Sequence, residues 1–282
     1  MNQNQLLQIG KEILRKENIE DYEVKSKRLL EFVLKQSREE FIKNSLQESS
    51  KLQEKEYREK LEEVIHGKPL QYITNNQEFM GLNFYVDENV LIPQPDTEVL
   101  VEEALKMISK IKEIKLSKEK LMIDERCIEN KVKKNVIQVL DLCTGSGAIA
   151  ISISKYAEKV QMTAVDISSK ALDVARKNAT QNKVEDKIQL IESDLFDKIP
   201  ENKFDMIVSN PPYIETNEIS NLSLEVKKEP FIALDGGEDG LDFYKAILEK
   251  SDNYLKQKGY LLSRNYKKRI TNYSKNEILS KW

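Results

Sequence analysis

The apolar run Met206-Ile207-Val208 ends in Ser209 and then in Asn210-Pro211-Pro212-Tyr213. Two consecutive prolines remove two backbone donors and fix two φ angles, so a strand ladder cannot continue through them. The result is a stiff corner carrying an amide, carbonyls turned out of the ladder and an aromatic ring. That set suits a planar NH2 group, whose lone pair is delocalised and poorly nucleophilic. Asn210 Oδ1 and the Pro211 carbonyl can accept its two hydrogens, and Tyr213 can pack against its plane. Catalysis would then be positioning and preorganised electrostatics, and alignment alone can lower a barrier by ~7–11 kcal/mol. Asn210, Pro211 and Tyr213 are the expected catalytic residues. The plainer alternative is a Pro-Pro turn with asparagine as a strand terminator.

A second constellation lies upstream, in Asp141-Leu-Cys-Thr-Gly-Ser-Gly-Ala-Ile-Ala150. Gly145, Gly147 and Ala150 satisfy G-x-G-x-x-G/A, and Asp166 follows 21 residues after Gly145 at the end of the next apolar run. Such a loop receives a ligand's anionic group at a helix N-terminus, while the acid accepts bonds from ribose hydroxyls. Both NAD and S-adenosylmethionine meet that description. Asp141 favours the second, because a carboxylate before the loop repels a pyrophosphate but balances an ammonium or a sulfonium. Asp194, or the Leu195 backbone, stands at a third strand end where it could contact adenine.

The elements that must position these residues follow from periodicity. "VIQVLDL", "QMTAVDI", "IQLIESD", "FDMIVSN" and "GYLLS" are five strand candidates, with a helix carrying Leu172, Ala175 and Ala179 between the second and third. Alternation of strand and helix predicts a mostly parallel, Rossmann-like sheet wrapped by helices, with ligands beyond its carboxyl ends. Residues 1–75 carry apolar pairs at helical spacing and predict a small all-α recognition domain of about four helices. The stretch 76–95 predicts a β-hairpin linker. Residues 96–282 form the expected catalytic domain, beginning with a helix capped by Asp96 or Thr97. The charged stretch 112–135 reads as a long helix end or an insertion.

Composition excludes several classes. The chain has 282 residues, 39% hydrophobic and 33% charged, with a net charge of -3. Nothing global calls for a polyanionic partner. Cys127 and Cys143 form no CxxC pair, and the single histidine, His66, fits a helix C-cap. No metal is expected. The start is too polar for a signal peptide, and no apolar run approaches the ~18 residues of a membrane span. A cytoplasmic protein is expected.

Taken together, "GKPLQYI", "EFMGLNFYV", "VLIPQPDTEVLVE", "DLCTGSGAIAI", "AVDIS", "SNPPYI" and "EPFIALDGGEDGLDFY" resemble the HemK/PrmC-type protein-(glutamine-N5) methyltransferases. These modify the glutamine of the Gly-Gly-Gln loop in peptide-chain release factors. The resemblance runs to about residue 262 and implies a class I S-adenosylmethionine-dependent methyltransferase domain. It implies that Cys143, Thr144, Gly145, Ser146, Gly147, Asp166, Leu195 and Asn210 contact S-adenosylmethionine, and that Asn210, Pro211, Pro212 and Tyr213 hold the substrate glutamine. The Pro-Asp-Thr-Glu segment and the 229–241 loop would line the substrate cavity. Gln94 stands where the family often has arginine, and Cys143 where it often has glycine.

After "GYLL" the family continues with a Glu-x-Gly stretch, a helix and two antiparallel strands. Here the text turns to "SRNYKKRITNYSKNEILSKW". From Lys245 to the end there are ten Lys/Arg against three acids. A truncated or frameshifted reading frame would produce such a tail, leaving the fifth strand with an unpaired edge. Two further functions stay open: an adenine-N6 DNA or RNA methyltransferase, which needs a basic groove, and an inactive cofactor-binding remnant.

Overall fold

The structure is a computed structural model that describes residues 1–120, 136–200, 204–264 and, as backbone, 271–274. Cys127 and part of the charged 112–135 stretch lie outside the described residues. The chain divides into two units: Met1–Asn76 with Leu222–Lys228, and Gln77–Asn221 with Glu229–Trp282.

The first unit is helical: α1 (Gln3–Lys16), α2 (Tyr22–Leu34), α3 (Arg38–Lys43), α4 (Lys51–Ile65) and α5 (Leu70–Thr74). Three starts are encoded by reciprocal caps, Asn2 with Gln5, Ser37 with Glu40 and Ser50 with Gln53, each satisfying two orphan N–H groups. His66 is the C-cap of α4, and its Nδ1 lies 2.7 Å from the Glu62 carbonyl. Leu6, Leu14, Leu29, Leu30 and Leu61 close the core around fully buried Tyr57, whose hydroxyl donates to the Ser26 carbonyl at 2.9 Å. Residues 222–228 join this unit through an ion pair from Lys25 to Glu225 and through Leu224, which lies over Gly67.

The second unit begins with β1 (Gln77–Phe79) and β2 (Leu82–Phe84), an antiparallel hairpin whose Met80 and Gly81 both have positive φ. Paired positive φ values match the twist of tight hairpins. Next comes α6 (Pro95–Lys120), which starts two or three residues before the position that a cap at Asp96 or Thr97 would give. Proline at its first position costs no hydrogen bond. Asp96 and Thr97 therefore lie inside the first turn, and the Thr97 hydroxyl is released from capping for another contact.

The sheet follows: β3 (Ile137–Leu142), α7 (Ala148–Tyr156), β4 (Val160–Asp166), α8 (Ser169–Asn182), β5 (Ile188–Glu192), β6 (Phe204–Ser209), α9 (Phe231–Leu234), α10 (Asp242–Tyr254), β7 (Leu255–Ser263) and β8 (Thr271–Ser274). Its order is β5-β4-β3-β6-β7-β8, parallel from β5 to β7. The order reverses at β3, where an open parallel sheet forms its ligand crevice. Alternation along β3 sends Ile137 and Val139 to the core shared with α6 and α7, and Leu140 and Leu142 to the core shared with Ile247 of α10. Asp141 shares the parity of Ile137 and Val139. The architecture is a Rossmann-like fold preceded by helices. One expectation fails. The edge of β7 is not bare, because β8 pairs with it antiparallel from Tyr260↔Ser274 to Ser263↔Thr271. Pairing needs only free backbone groups and no alternating side-chain pattern, so periodicity gives no sign of it.

A methyl group on Gly10 of α1 would stand 1.9 Å from the Tyr57 hydroxyl. In an open helix Gly→Ala gains about 1 kcal/mol, but overpacking costs about 1–3 kcal/mol, so the clash wins. Gly10→Ala should lower stability by about 1–2 kcal/mol in urea unfolding. A stabilised variant would contradict this packing.

Candidate active site

The loop after β3 is built by left-handed backbone and by carboxylates behind it. Cys143, Gly145 and Gly147 have φ of 58°, 55° and 80°. Thr144 N–H donates to the Val165 carbonyl and Gly147 N–H to the Thr144 carbonyl, both at 2.9 Å. A Cβ at Gly147 would lie 2.8 Å from Ile151 Cδ1 and 3.2 Å from Ala175 Cβ, so glycine lets α7 and α8 close. At Gly145 a Cβ would meet nothing within 4 Å. Open space beside an exposed peptide is what a ligand cradle requires.

Two acids hold this loop. Asp166 accepts Gly145 N–H at 2.8 Å on one oxygen and Ser168 N–H at 3.0 Å on the other. Burial raises its pKa, partly opposed by those N–H bonds. Each carboxylate oxygen keeps a second lone pair for a ligand hydroxyl. Asp141 is fully buried, and its Oδ2 accepts the Thr144 hydroxyl at 2.7 Å. Its Oδ1 has no hydrogen-bond partner among the described residues. Burial pushes Asp141 up to about 7 despite the Thr144 bond. Burial, then the nearby Asp166 charge, pushes the Cys143 thiol up, which disfavours the thiolate.

Asn178 locks the loop from α8. Fully buried, it donates from Nδ2 to the carbonyls of Ser146 and Tyr85, each at 2.9 Å, and accepts Tyr85 N–H at 2.7 Å. One amide thereby ties the glycine loop to the chain leaving β2. Sequence reading missed it; the available signal was a polar residue on the apolar stripe between Ala175 and Ala179.

The Asn210 corner leaves β6, every residue of which is buried. Ser209 Oγ donates to the Leu142 carbonyl at 2.8 Å, fixing β6 to β3. Asn210 Nδ2 donates to Thr97 Oγ1 at 3.3 Å. Its Oδ1 is buried and has no hydrogen-bond partner among the described residues. Beyond the prolines the main chain is clamped by the 229–241 segment. Ile214 N–H donates to the Leu234 carbonyl at 3.0 Å and Gly236 N–H to the Ile214 carbonyl at 2.8 Å. A Cβ at Gly236 would fall 2.6 Å from Tyr213 Cα, and one at Gly240 2.5 Å from the Tyr213 carbonyl oxygen. Glu229 accepts Ile92 N–H at 2.9 Å and is pushed up to about 7 by burial.

These pieces surround one cavity of about 200 Å³. Cys143, Thr144, Gly145, Ser146, Asp166, Asp194, Leu195, Asn210 and Pro212 line it, so nine residues of the predicted set meet at four strand ends. Pro93, Gln94 and Thr97 add one wall, and Pro230, Ile232 and Phe243 another. Gly147, Pro211 and Tyr213 are not among the lining residues. Gly147 shapes the turn behind the cavity, and Pro211 is buried.

Asp141 gives this site a pH signature. Its folded pKa of about 7 exceeds the ~3.9 of a free aspartate, so folding disfavours its charged form. The ligand-free protein therefore loses stability as pH rises from about 4 through 7. Glu229 acts with the same sign, so the comparison needs a variant. The melting-temperature advantage of Asp141→Asn over the parent should grow between pH 5 and pH 8. A gap that does not change with pH would contradict the burial of this carboxylate.

A family model described as "Methyltransferase small domain" matches residues 117–228, and one described as "PrmC N-terminal domain" matches residues 5–74. A release factor glutamine methyltransferase of Clostridium acetobutylicum is 41% identical over 88% of this chain and 80% of its own length. A bifunctional methyltransferase of Rickettsia bellii is 37% identical over 83% of this chain, which spans only 43% of that relative. A ribosomal protein uL3 glutamine methyltransferase of Francisella tularensis is 38% identical over 69% of this chain and 55% of its own length. With that fold, that convergent cavity and that identity over most of its length, the chain belongs to the release factor glutamine methyltransferase family and is a protein-glutamine methyltransferase.

Proposed function

We propose that the chain transfers a methyl group from S-adenosylmethionine to the side-chain nitrogen N5 of the glutamine in the Gly-Gly-Gln loop of a peptide chain release factor. The observation that carries this reading is the Asn210 amide. Its nitrogen is engaged by Thr97 while its buried oxygen lacks a donor. A buried acceptor left unpaired costs about 1–3 kcal/mol, and a substrate NH2 that reaches it relieves that cost.

The cavity residues fit the methyl donor. Asp166 keeps lone pairs for ribose hydroxyls and Gly145 leaves open space, while Asp141, buried behind the lining and bonded to Thr144, places negative charge beneath the loop. Asp194 and Leu195 line the cavity and are assigned to adenine, and Ser146 and Gly147, which lead into α7, to a carboxylate. When bound, S-adenosylmethionine supplies an electrophilic methyl group on a positively charged sulfur.

The chain's own residues do the rest. Asn210 Oδ1 accepts one hydrogen of the glutamine amide, and the Pro211 carbonyl is assigned the other. Tyr213, which does not itself line the cavity, is assigned to the edge of the amide plane, its backbone held by Gly236 and Gly240. Holding both hydrogens favours the nitrogen as it loses planarity, which is transition-state rather than ground-state binding. The nitrogen gains the methyl group as the methyl–sulfur bond breaks, its electron pair staying on sulfur to leave S-adenosylhomocysteine, and it loses one proton to solvent. Proton removal is not assigned to a histidine. Among the described residues no helix is long and apolar enough to cross a membrane. The cytoplasm, where release factors act, is the proposed location.

Ribosomal protein uL3 offers the same side-chain chemistry, and one relative carries that name. Incubation with labelled S-adenosylmethionine should be run with purified release factor, uL3, DNA and no acceptor. Label should enter the release factor and vanish when its loop glutamine becomes alanine. Label confined to uL3 or DNA, or transferred to nothing, would overturn the assignment. Asn210→Ala should lower kcat about 100- to 1,000-fold, as loss of a transition-state hydrogen bond does, with cofactor affinity changed less than about threefold. Equal loss of both would contradict a substrate-positioning role.

A further inference from the structure

We propose that Arg264, in the tail that departs from the family pattern, is a positioning residue that sets the polarity of the Asn210 amide through Thr97. The proposal deepens the reading of the acceptor site given above and rests on it. Arg264 follows β7, and every described contact it makes belongs to the acceptor side. Its N–H donates to the Ser209 carbonyl at 3.2 Å, one residue before Asn210. Its own carbonyl accepts the Tyr244 hydroxyl. The side chain is 17% exposed. Nη2 donates to Asp96 Oδ2 at 3.0 Å and Nη1 to Thr97 Oγ1 at 3.5 Å. The guanidinium carbon lies 5.2 Å from the centre of the Tyr213 ring, within cation–π range.

The consequence lies in the hydroxyl. An oxygen of this type has two lone pairs and one proton. Thr97 Oγ1 receives Nη1 of Arg264 and Nδ2 of Asn210, so both of its lone pairs face donors. A hydroxyl used in this way cannot also turn its proton toward Asn210. The asparagine must offer Thr97 its NH2, and its oxygen stays free for a substrate donor. Without the arginine the hydroxyl is free to rotate and donate to Oδ1. The amide then flips, and the site presents NH2 to an NH2 substrate, a donor facing a donor. Asp96 keeps the fork in place, and the Tyr213 ring lies beside the same planar group. Lysine cannot reproduce this, because a single ammonium lacks the planar fork that spans Asp96, Thr97 and the ring.

Isotope-labelled protein tests this independently of turnover. The Asn210 side-chain NH2 signals, assigned by their loss in Asn210→Ala, should shift and broaden in Arg264→Lys and Arg264→Ala. Thr97→Val should move them in the same way. In the activity arm, each Arg264 variant should lose about 10- to 100-fold in kcat, while S-adenosylmethionine affinity and the release-factor KM change less than about threefold. In a Thr97→Val background, Arg264→Lys should cost less than twofold more. If Arg264→Ala fails to fold, Arg264→Lys and Asp96→Asn carry the same comparison. Unchanged Asn210 signals in a folded Arg264→Lys variant would overturn the proposal, as would additive losses in the Thr97→Val background. A parent protein that methylates no release factor would defeat the function proposed above, and the Asn210 signals would still decide the role of Arg264.

Discussion

The bond from Asn210 to Thr97 is the interaction on which the acceptor half of the site depends. It fixes one end of a side-chain amide and leaves the other end, a buried carbonyl oxygen, without a protein donor. Native structures pair nearly all such groups, and exceptions mark places where something else completes the set. Much of the surrounding architecture keeps this arrangement from relaxing. The prolines prevent β6 from continuing, and Gly236 and Gly240 allow a second segment to press against the Tyr213 backbone. Proline at the first position of α6 frees the Thr97 hydroxyl from capping duty.

On the donor half the logic is electrostatic. Asp141 and Asp166 flank the glycine loop from adjacent strands, and burial raises the pKa of both. Neighbouring buried carboxylates are unfavourable until a cation joins them. In the function proposed above, the sulfonium or ammonium of the methyl donor is such a cation, and its arrival would relieve this cost. Burial, and then the same charges, keep the Cys143 thiol protonated, leaving that residue to serve as a small element of the wall.

Most of the sheet and the cavity's polar lining were legible in the sequence. Five apolar runs become five parallel strands, and Gly145, Asp166, Asp194 and Asn210 meet because the ends of parallel strands lie side by side. Contacts between distant positions were less legible. Asn178 reaches Tyr85 across 93 residues, and Arg264 reaches Thr97 across 167. No local periodicity encodes such pairs, because each partner looks like an ordinary polar residue within its own window. Residues 222–228 follow the Asn210 corner in sequence yet pack with the N-terminal helices. The tail misled for a related reason. Its family text was gone, but its first residues still bind the site, and its backbone still covers β7.

The central claim is that Asn210 Oδ1 is kept unpaired for a substrate amide. A crystal structure with S-adenosylhomocysteine and a glutamine-bearing release-factor peptide tests it most directly. The account predicts the glutamine amide nitrogen about 2.7–3.2 Å from Asn210 Oδ1, with Nδ2 still on Thr97. A glutamine nitrogen bound elsewhere, with Oδ1 still lacking a donor, would contradict it.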